Sequence, residues 1–274
     1  MAMYVLFSAA GSPGVTTSVL GLALGWHRPV VLVEADPTGG SAIAAGYLKG
    51  SIVPLEAMIE LALAHQEGQP LLEVLPAVSV DLPGSRVSWV PGTRSHEQAR
   101  TLLGLWEPLT SVLRSLDQTG QDVLVDAGRL GLYGSPEPLI EAADLALLLT
   151  RTDLVSLAAA RSWAESLRER FTRAGAAPNL GVLLVGEGEP FTAREVCRVL
   201  GLPVLGTIVS DSTAAAVLSA GQAPPRAGLG HRLAGRSDWQ DSPLLRSYRA
   251  TRSAITARVR AHLDELEASS RSGS

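Results

Sequence analysis

The 274-residue sequence contains one lysine, Lys49, against 22 arginines. Any chemistry that needs a lysine amine elsewhere in the chain is excluded. Cysteine is nearly as scarce: Cys197 stands alone, so no internal disulfide can form, and no Cys/His cluster has zinc-site spacing. A lone cysteine of this kind reads as a small buried hydrophobe in a protein of the reducing cytoplasm. No apolar run approaches the roughly 18 residues of a membrane span. The opening run Met1 to Phe7 has no basic residues before it and is cut short by Gly11 and Gly14, which marks a strand and not a signal peptide. Twenty-three basic and 27 acidic residues leave a net charge of −4, which argues against broad electrostatic binding to nucleic acid. What is plentiful is apolar surface. At 46% hydrophobic and 18% charged, the chain can bury a substantial core, and disordered and fibrous classes are excluded.

The apolar residues fall into short continuous runs separated by helical patterns. Strands are expected at Met3 to Ser8, Val30 to Val33, Val87 to Val90, Asp122 to Asp126, Leu145 to Thr150, Leu180 to Val185 and Val204 to Val209. Helical patterns cover Thr16 to Trp26, Pro54 to His65, Ser95 to Leu116, Asp153 to Phe171 and Thr192 to Leu200, and a Pro/Gly-rich connection reaches Gly84. This alternation implies an α/β, doubly wound, mostly parallel sheet with helices on both faces. One domain is expected over residues 1–223. A Gly/Pro/Arg-rich loop or tether is expected over 224–243, an amphipathic helix over 244–267 and a disordered tail over 268–274.

In such sheets ligands sit beyond the carboxyl ends of the strands, so the loops there carry the functional reading. After the first strand comes Ala9-Ala10-Gly11-Ser12-Pro13-Gly14-Val15-Thr16-Thr17. Its glycines suit a backbone cradle for phosphate at a helix N-terminus, and Thr16 stands where a P-loop hydroxyl meets magnesium. Val15 occupies the lysine's place and supplies neither charge nor hydrogen bond. Taken alone, the segment also reads as an ordinary Gly-rich turn. Two further strands end in carboxylates, Glu34-Ala35-Asp36 and Asp126; each alone also reads as a helix cap, but together with the loop they suit magnesium and a positioned water.

These three loops resemble those of the MinD/ParA group of P-loop ATPases, which includes the TadZ/CpaE proteins that position pilus-assembly machinery. The resemblance spans about Met3 to Ala223. It includes Leu147 to Leu157, similar to the segment after the family's Walker B strand, and Leu202 to Asp211, similar to its late strand before the base pocket. It implies a P-loop NTPase fold, ATP or ADP with magnesium held by Gly11, Ser12, Gly14, Val15, Thr16 and Thr17, magnesium at Thr16 and Asp126, and a hydrolytic carboxylate at Asp36. Ala10 falls at the signature lysine and Val15 at the P-loop lysine. The asparagine that commonly reads adenine is also missing from Val185-Gly186-Glu187-Gly188-Glu189. Loss of the P-loop lysine is the mark of TadZ/CpaE-like members.

A charge-assisted hydrogen bond contributes about 1.5–3 kcal/mol, so losing the lysine weakens ATP binding by roughly 10- to 150-fold. Losing transition-state charge is more severe, since arginine fingers are worth about 10³–10⁵ in rate. Arg129 and Arg151 are the candidate substitutes. The expectation is a hydrolysis-deficient ATPase acting as a cytoplasmic positioning factor for a pilus or secretion motor, as a homodimer, with helix 244–267 packed on its own domain. Peripheral membrane or partner contact through 244–267, an active ATPase and a nucleotide-free interaction module are the alternatives.

Overall fold

The computed structural model describes residues 2–52, 56–224 and 239–272. Eight strands form one sheet: β1 Met3–Ser8, β2 Val30–Glu34, β3 Val80–Asp81, β4 Val87–Val90, β5 Asp122–Arg129, β6 Leu145–Arg151, β7 Leu180–Val185 and β8 Val204–Ile208. Their order is β3-β4-β2-β5-β1-β6-β7-β8, parallel except for the β3–β4 pair. The central strands are buried on both faces, which is why they read as uninterrupted apolar runs. Met3, Val5 and Phe7 face one core, and Tyr4 and Leu6 the other, as the two-residue period of a strand requires.

Helices cover both faces. The side of Met3 carries α2 Ala57–Gln66, α3 Leu71–Val78, α5 Trp106–Ser115, α6 Glu137–Glu141, α7 Leu154–Arg173 and α8 Ala193–Leu200; the short α4 His96–Ala99 precedes α5. The other side carries α1 Val15–Leu24, α9 Ser212–Ser219 and the C-terminal helix α10 Pro243–Ser272. The expected α/β, doubly wound, mostly parallel sheet is the observed one.

Local details differ where turn residues misled the pattern. The segment expected as one helix over Ser95 to Leu116 is broken into α4, a 3-10 turn at Arg100–Leu102 and α5, with Gly104 at the break. The Pro/Gly-rich connection contains α3, whose Pro76 sits inside the helix. A short π-helix, Ile43–Tyr47, lies between β2 and α2, and Cys197, expected to be buried, is exposed on α8 because it lies off the face that buries Val196 and Leu200. Of the expected tether at 224–243, residues 225–238 lie outside the described residues, and α10 continues through the stretch expected as a disordered tail to Ser272.

Helix α10 packs on the domain. Leu244, Tyr248, Ile255 and Val259 are buried among residues of α1, β7 and β8. Gly21 of α1 accommodates it: a Cβ there would lie 2.4 Å from the Tyr248 ring. Among the described residues, no helix is long and apolar enough to cross a membrane.

Candidate functional site

Strand β1 lies between β5 and β6, and the β1-to-β2 and β5-to-β6 connections run in opposite directions along the sheet, which opens a crevice at the carboxyl end of β1. The loop from Ala9 to Gly14 occupies that position. Gly11, Ser12 and Gly14 have φ of 77°, 42° and 89°. This left-handed backbone is easy for glycine and unusual for serine. Gly14 caps α1 without any side-chain bond to the first-turn amides, and that turn holds no acidic residue. The amides are thus open to an anion.

Thr16, Asp36 and Asp126 come together beside this loop. The Thr16 hydroxyl donates to the Asp126 carboxylate. The backbone N–H of Gly128 donates to Asp126 Oδ1 at 3.0 Å. Gly128 has φ 64°, and a Cβ there would lie 2.2 Å from Asp36 Cγ, so the glycine is what lets the two strand-end carboxylates approach. A register slip between Leu6 and Ser8 gives β5 an extra residue at this point. The slip places Gly128 against the β2 end. Asp36 accepts from the Thr38 N–H at 2.9 Å and the Thr38 hydroxyl at 2.8 Å.

Burial pushes the Asp126 carboxyl up to about 7, with the charges of Asp36 and Glu34 adding to it and the bonds from Thr16 and Gly128 opposing it. A cation placed there would reverse that balance. Among the described residues no group of three or more His, Cys, Asp or Glu side chains could hold a metal ion by itself. The donor set fits a magnesium ion that takes one hydroxyl and one carboxylate from the protein and its remaining ligands from phosphate and water.

Glu34 is a site residue whose partners sequence reasoning did not identify. It is buried, and burial raises its pKa against the hydrogen bonds that it accepts. The Trp89 indole N–H donates to it at 3.0 Å, the Gly92 N–H at 3.3 Å and the Ser41 hydroxyl at 2.7 Å. It thereby ties the loop after Asp36 to the end of β4. The signal was an acid inside an apolar strand, but Trp89 and Gly92 are 55 and 58 residues away.

The position of the P-loop lysine is apolar in its surroundings as well as its identity. Val15 is 7% exposed and lies in the core cluster of α1, β1 and β6. Lys49 sits elsewhere, its side chain beside Gly221. Arg129 and Arg151 are exposed at the carboxyl ends of β5 and β6, the two strands flanking β1, with Arg129 opposite Ser8. Ser12 and Thr17 lie on the loop and in the first turn of α1. The loop also meets α7, where a Cβ on Gly11 would fall 2.8 Å from Ser156 Oγ.

A comparison with solved structures decides the fold. The chain superposes on the ParA family ATPase from Chlorobium tepidum TLS with TM-score 0.66 and 15% identity, covering 90% of this chain and 95% of that one. On the septum site-determining protein MinD of Pyrococcus horikoshii OT3, solved with Mg-ADP, the TM-score is 0.65 at 19% identity, covering 93% and 95%. The MinC:MinD cell division complex of Aquifex aeolicus matches at TM-score 0.65 and 14% identity, covering 94% and 96%. The chain has the MinD/ParA fold. No family model matches the sequence, and no curated protein matches it. At these identities the likeness is one of architecture, and the MinD/ParA fold leaves the chemistry to the residues. A separate cleft of about 460 Å³ between α1, α9 and α10 contains none of the site residues expected from the sequence.

Proposed function

We propose that this chain is a nucleotide-binding protein of MinD/ParA type that hydrolyses ATP slowly or not at all and acts as a positioning scaffold. The observation that carries the reading is Val15, buried in apolar core at the lysine position of a loop that otherwise keeps its left-handed glycines and its Thr16–Asp126 pair. Backbone N–H groups of Gly11, Ser12, Gly14, Val15, Thr16 and Thr17 would hold the phosphates, with Pro13 contributing none, Thr16 and Asp126 would hold the magnesium, and Asp36 the water. The MinD of Pyrococcus horikoshii was solved with Mg-ADP, which supports that ligand class. When bound, magnesium would supply charge neutralisation. The protein contributes position, with little positive charge of its own.

The client is a protein assembly, and the TadZ/CpaE resemblance points to a cell-envelope machine such as a Tad-type pilus or secretion system. Leu154 and Val155, 70% and 79% exposed at the start of α7, lie next to the phosphate loop. Apolar side chains exposed there suit a protein contact, with a second copy of this chain or with the client. The complex of Aquifex aeolicus MinD with MinC supports a partner-binding role for the fold.

A second reading, an active ATPase, is favoured by one observation: the exposed Arg129 and Arg151 beside the loop can supply the missing charge. Thermal-shift titration with ATP and ADP, with and without magnesium, alongside steady-state turnover, separates the readings. The proposal expects a magnesium-dependent shift without turnover above background. Turnover that Asp36→Ala abolishes would establish the active ATPase instead, and no shift with any nucleotide would leave a nucleotide-free interaction module.

A further inference from the structure

At the amino ends of the strands, opposite the phosphate loop, two arginines stand without an ion pair among the described residues. A groove of about 570 Å³ runs between His27, just past α1, and one side of α10, lined by Arg252, Ser253, Thr256, Arg260 and Asp264 among others. The other arginines of this stretch of α10 are engaged. Arg246 donates to the Asp241 carbonyl at 2.9 Å, Arg249 to the Gln240 carbonyl at 2.9 Å and Arg258 to the Pro178 carbonyl at 3.2 Å. Arg252 and Arg260 make no side-chain hydrogen bond or ion pair among the described residues.

The nearby acids do not balance them. Asp122 is buried and already accepts from the Ala2 N–H and the Trp26 indole N–H, both at 2.9 Å, with Arg28 at 3.7 Å. Asp264 lies on the rim, exposed, without an ion pair to Arg260. Arg252 is half-buried, and burial together with the neighbouring Arg249 lowers its basicity. Burial lowers the His27 pKa too; Arg252, Arg28 and Arg260 push it down further, against Asp122. Half-buried Arg252 without a counter-ion is costly, and an anion in the groove, met also by the exposed Arg260 and His27, would remove that cost.

We infer that this groove is a second binding site, for a phosphate-bearing anion, gripped by Arg252 and Arg260 and flanked by His27. Eight residues apart on one helix, the two guanidinium groups start about 12 Å apart along the axis, within reach of one another through their long side chains over Thr256. Their planar forks match phosphate oxygens in pairs. The ligand is a small free phosphate anion or the headgroup of an anionic lipid; the net charge of −4 disfavours a nucleic acid. The site is independent of the phosphate loop, from which the ten residues of α1 separate His27 by about 15 Å of helix.

The test follows the His27 ring signal of the full-length protein by NMR, assigned with His27→Gln, while inorganic pyrophosphate is added. Saturable movement is expected, weakened at least about tenfold in Arg252→Gln/Arg260→Gln, equivalent to about 1.4 kcal/mol. Arg260→Gln alone alters an exposed side chain, so a weaker loss in that variant guards against misfolding of the double variant. If pyrophosphate leaves the signal still but vesicles of phosphatidylglycerol and phosphatidylcholine sediment the wild type and not the double variant, the anion is a lipid headgroup. A still signal together with no vesicle binding overturns the inference, as does unchanged pyrophosphate binding in the double variant.

Discussion

At neutral pH Asp126 stands near the middle of its own titration, because burial holds its carboxyl at about 7. In the unfolded chain it ionises near its ordinary value of 3.8. Between those limits the folded state binds a proton that the unfolded state has released. Unfolding free energy therefore falls as pH rises from about 4 to about 7, and the loss persists above that window. Buried Glu34 slopes the same way and Asp153 and Glu195, held low by hydrogen bonds, slope the opposite way, so the informative quantity is a difference between variants. Without nucleotide or magnesium, Asp126→Asn is expected to exceed the wild type by roughly 2–4 kcal/mol at pH 8 and to match it near pH 4, read from urea melts. A constant difference at both pH values would refute the assignment. Gly128 guards the same centre. Gly128→Ala adds a methyl at a φ of 64° and within 2.2 Å of Asp36 Cγ, so it should cost about 1–3 kcal/mol and displace Asp36. Melting without ligand reads the first effect, and a weaker stabilisation by magnesium-ATP reads the second. Asp36 and Asp126 were legible in the sequence because they close apolar runs, although β2 ends at Glu34 and β5 continues to Arg129. The Glu34 contacts were not, since long-range contacts leave no local spacing to read.

Among the elements, the strands were readable and the segments around the glycines and prolines were not. Strands buried on both faces are apolar whatever the turn chemistry, whereas Pro76 and Gly104 read as breaks although one sits inside α3 and the other divides a longer pattern. The π-helix at Ile43–Tyr47 is tied to a close approach, since a Cβ on Gly46 would fall 2.1 Å from the Ser219 carbonyl oxygen. Helix α10 matters most here. Its apolar period was visible, but not whether that face meets a partner or its own domain; the burial of Tyr248 and Ile255 assigns it to the domain. Ile255→Ala should cost about 2–5 kcal/mol in chemical denaturation. Truncation after Ser242 should expose the core along β7 and β8 and yield aggregated or unfolded protein. A truncated chain that stays soluble with an unchanged melting temperature would contradict this packing.

For the whole molecule, the shortage of lysine becomes a statement about time. A site that holds nucleotide through backbone amides and magnesium, without a lysine to stabilise the transferring phosphoryl group, separates binding from turnover. Binding needs only that the ground state be met; turnover needs charge that strengthens as the bond breaks, and the residues at positions 10 and 15 are alanine and valine. The ATP-bound state should then be long-lived, which suits a marker better than an oscillator. If the loaded state pairs through the face carrying the phosphate loop and the exposed Leu154 and Val155, sedimentation of the 28.7-kDa chain with magnesium-ATP should show a dimer that persists over hours without accumulation of ADP. Saturating nucleotide at 100 times its dissociation constant should stabilise the fold by about 2.7 kcal/mol, an increase of roughly 5 °C in melting temperature for a chain of this size. Arg129→Ala and Arg151→Ala should leave that lifetime unchanged. A dimer that decays as ADP appears, and decays more slowly in either arginine variant, would show that a guanidinium has taken over the lysine's work and that the protein turns over after all.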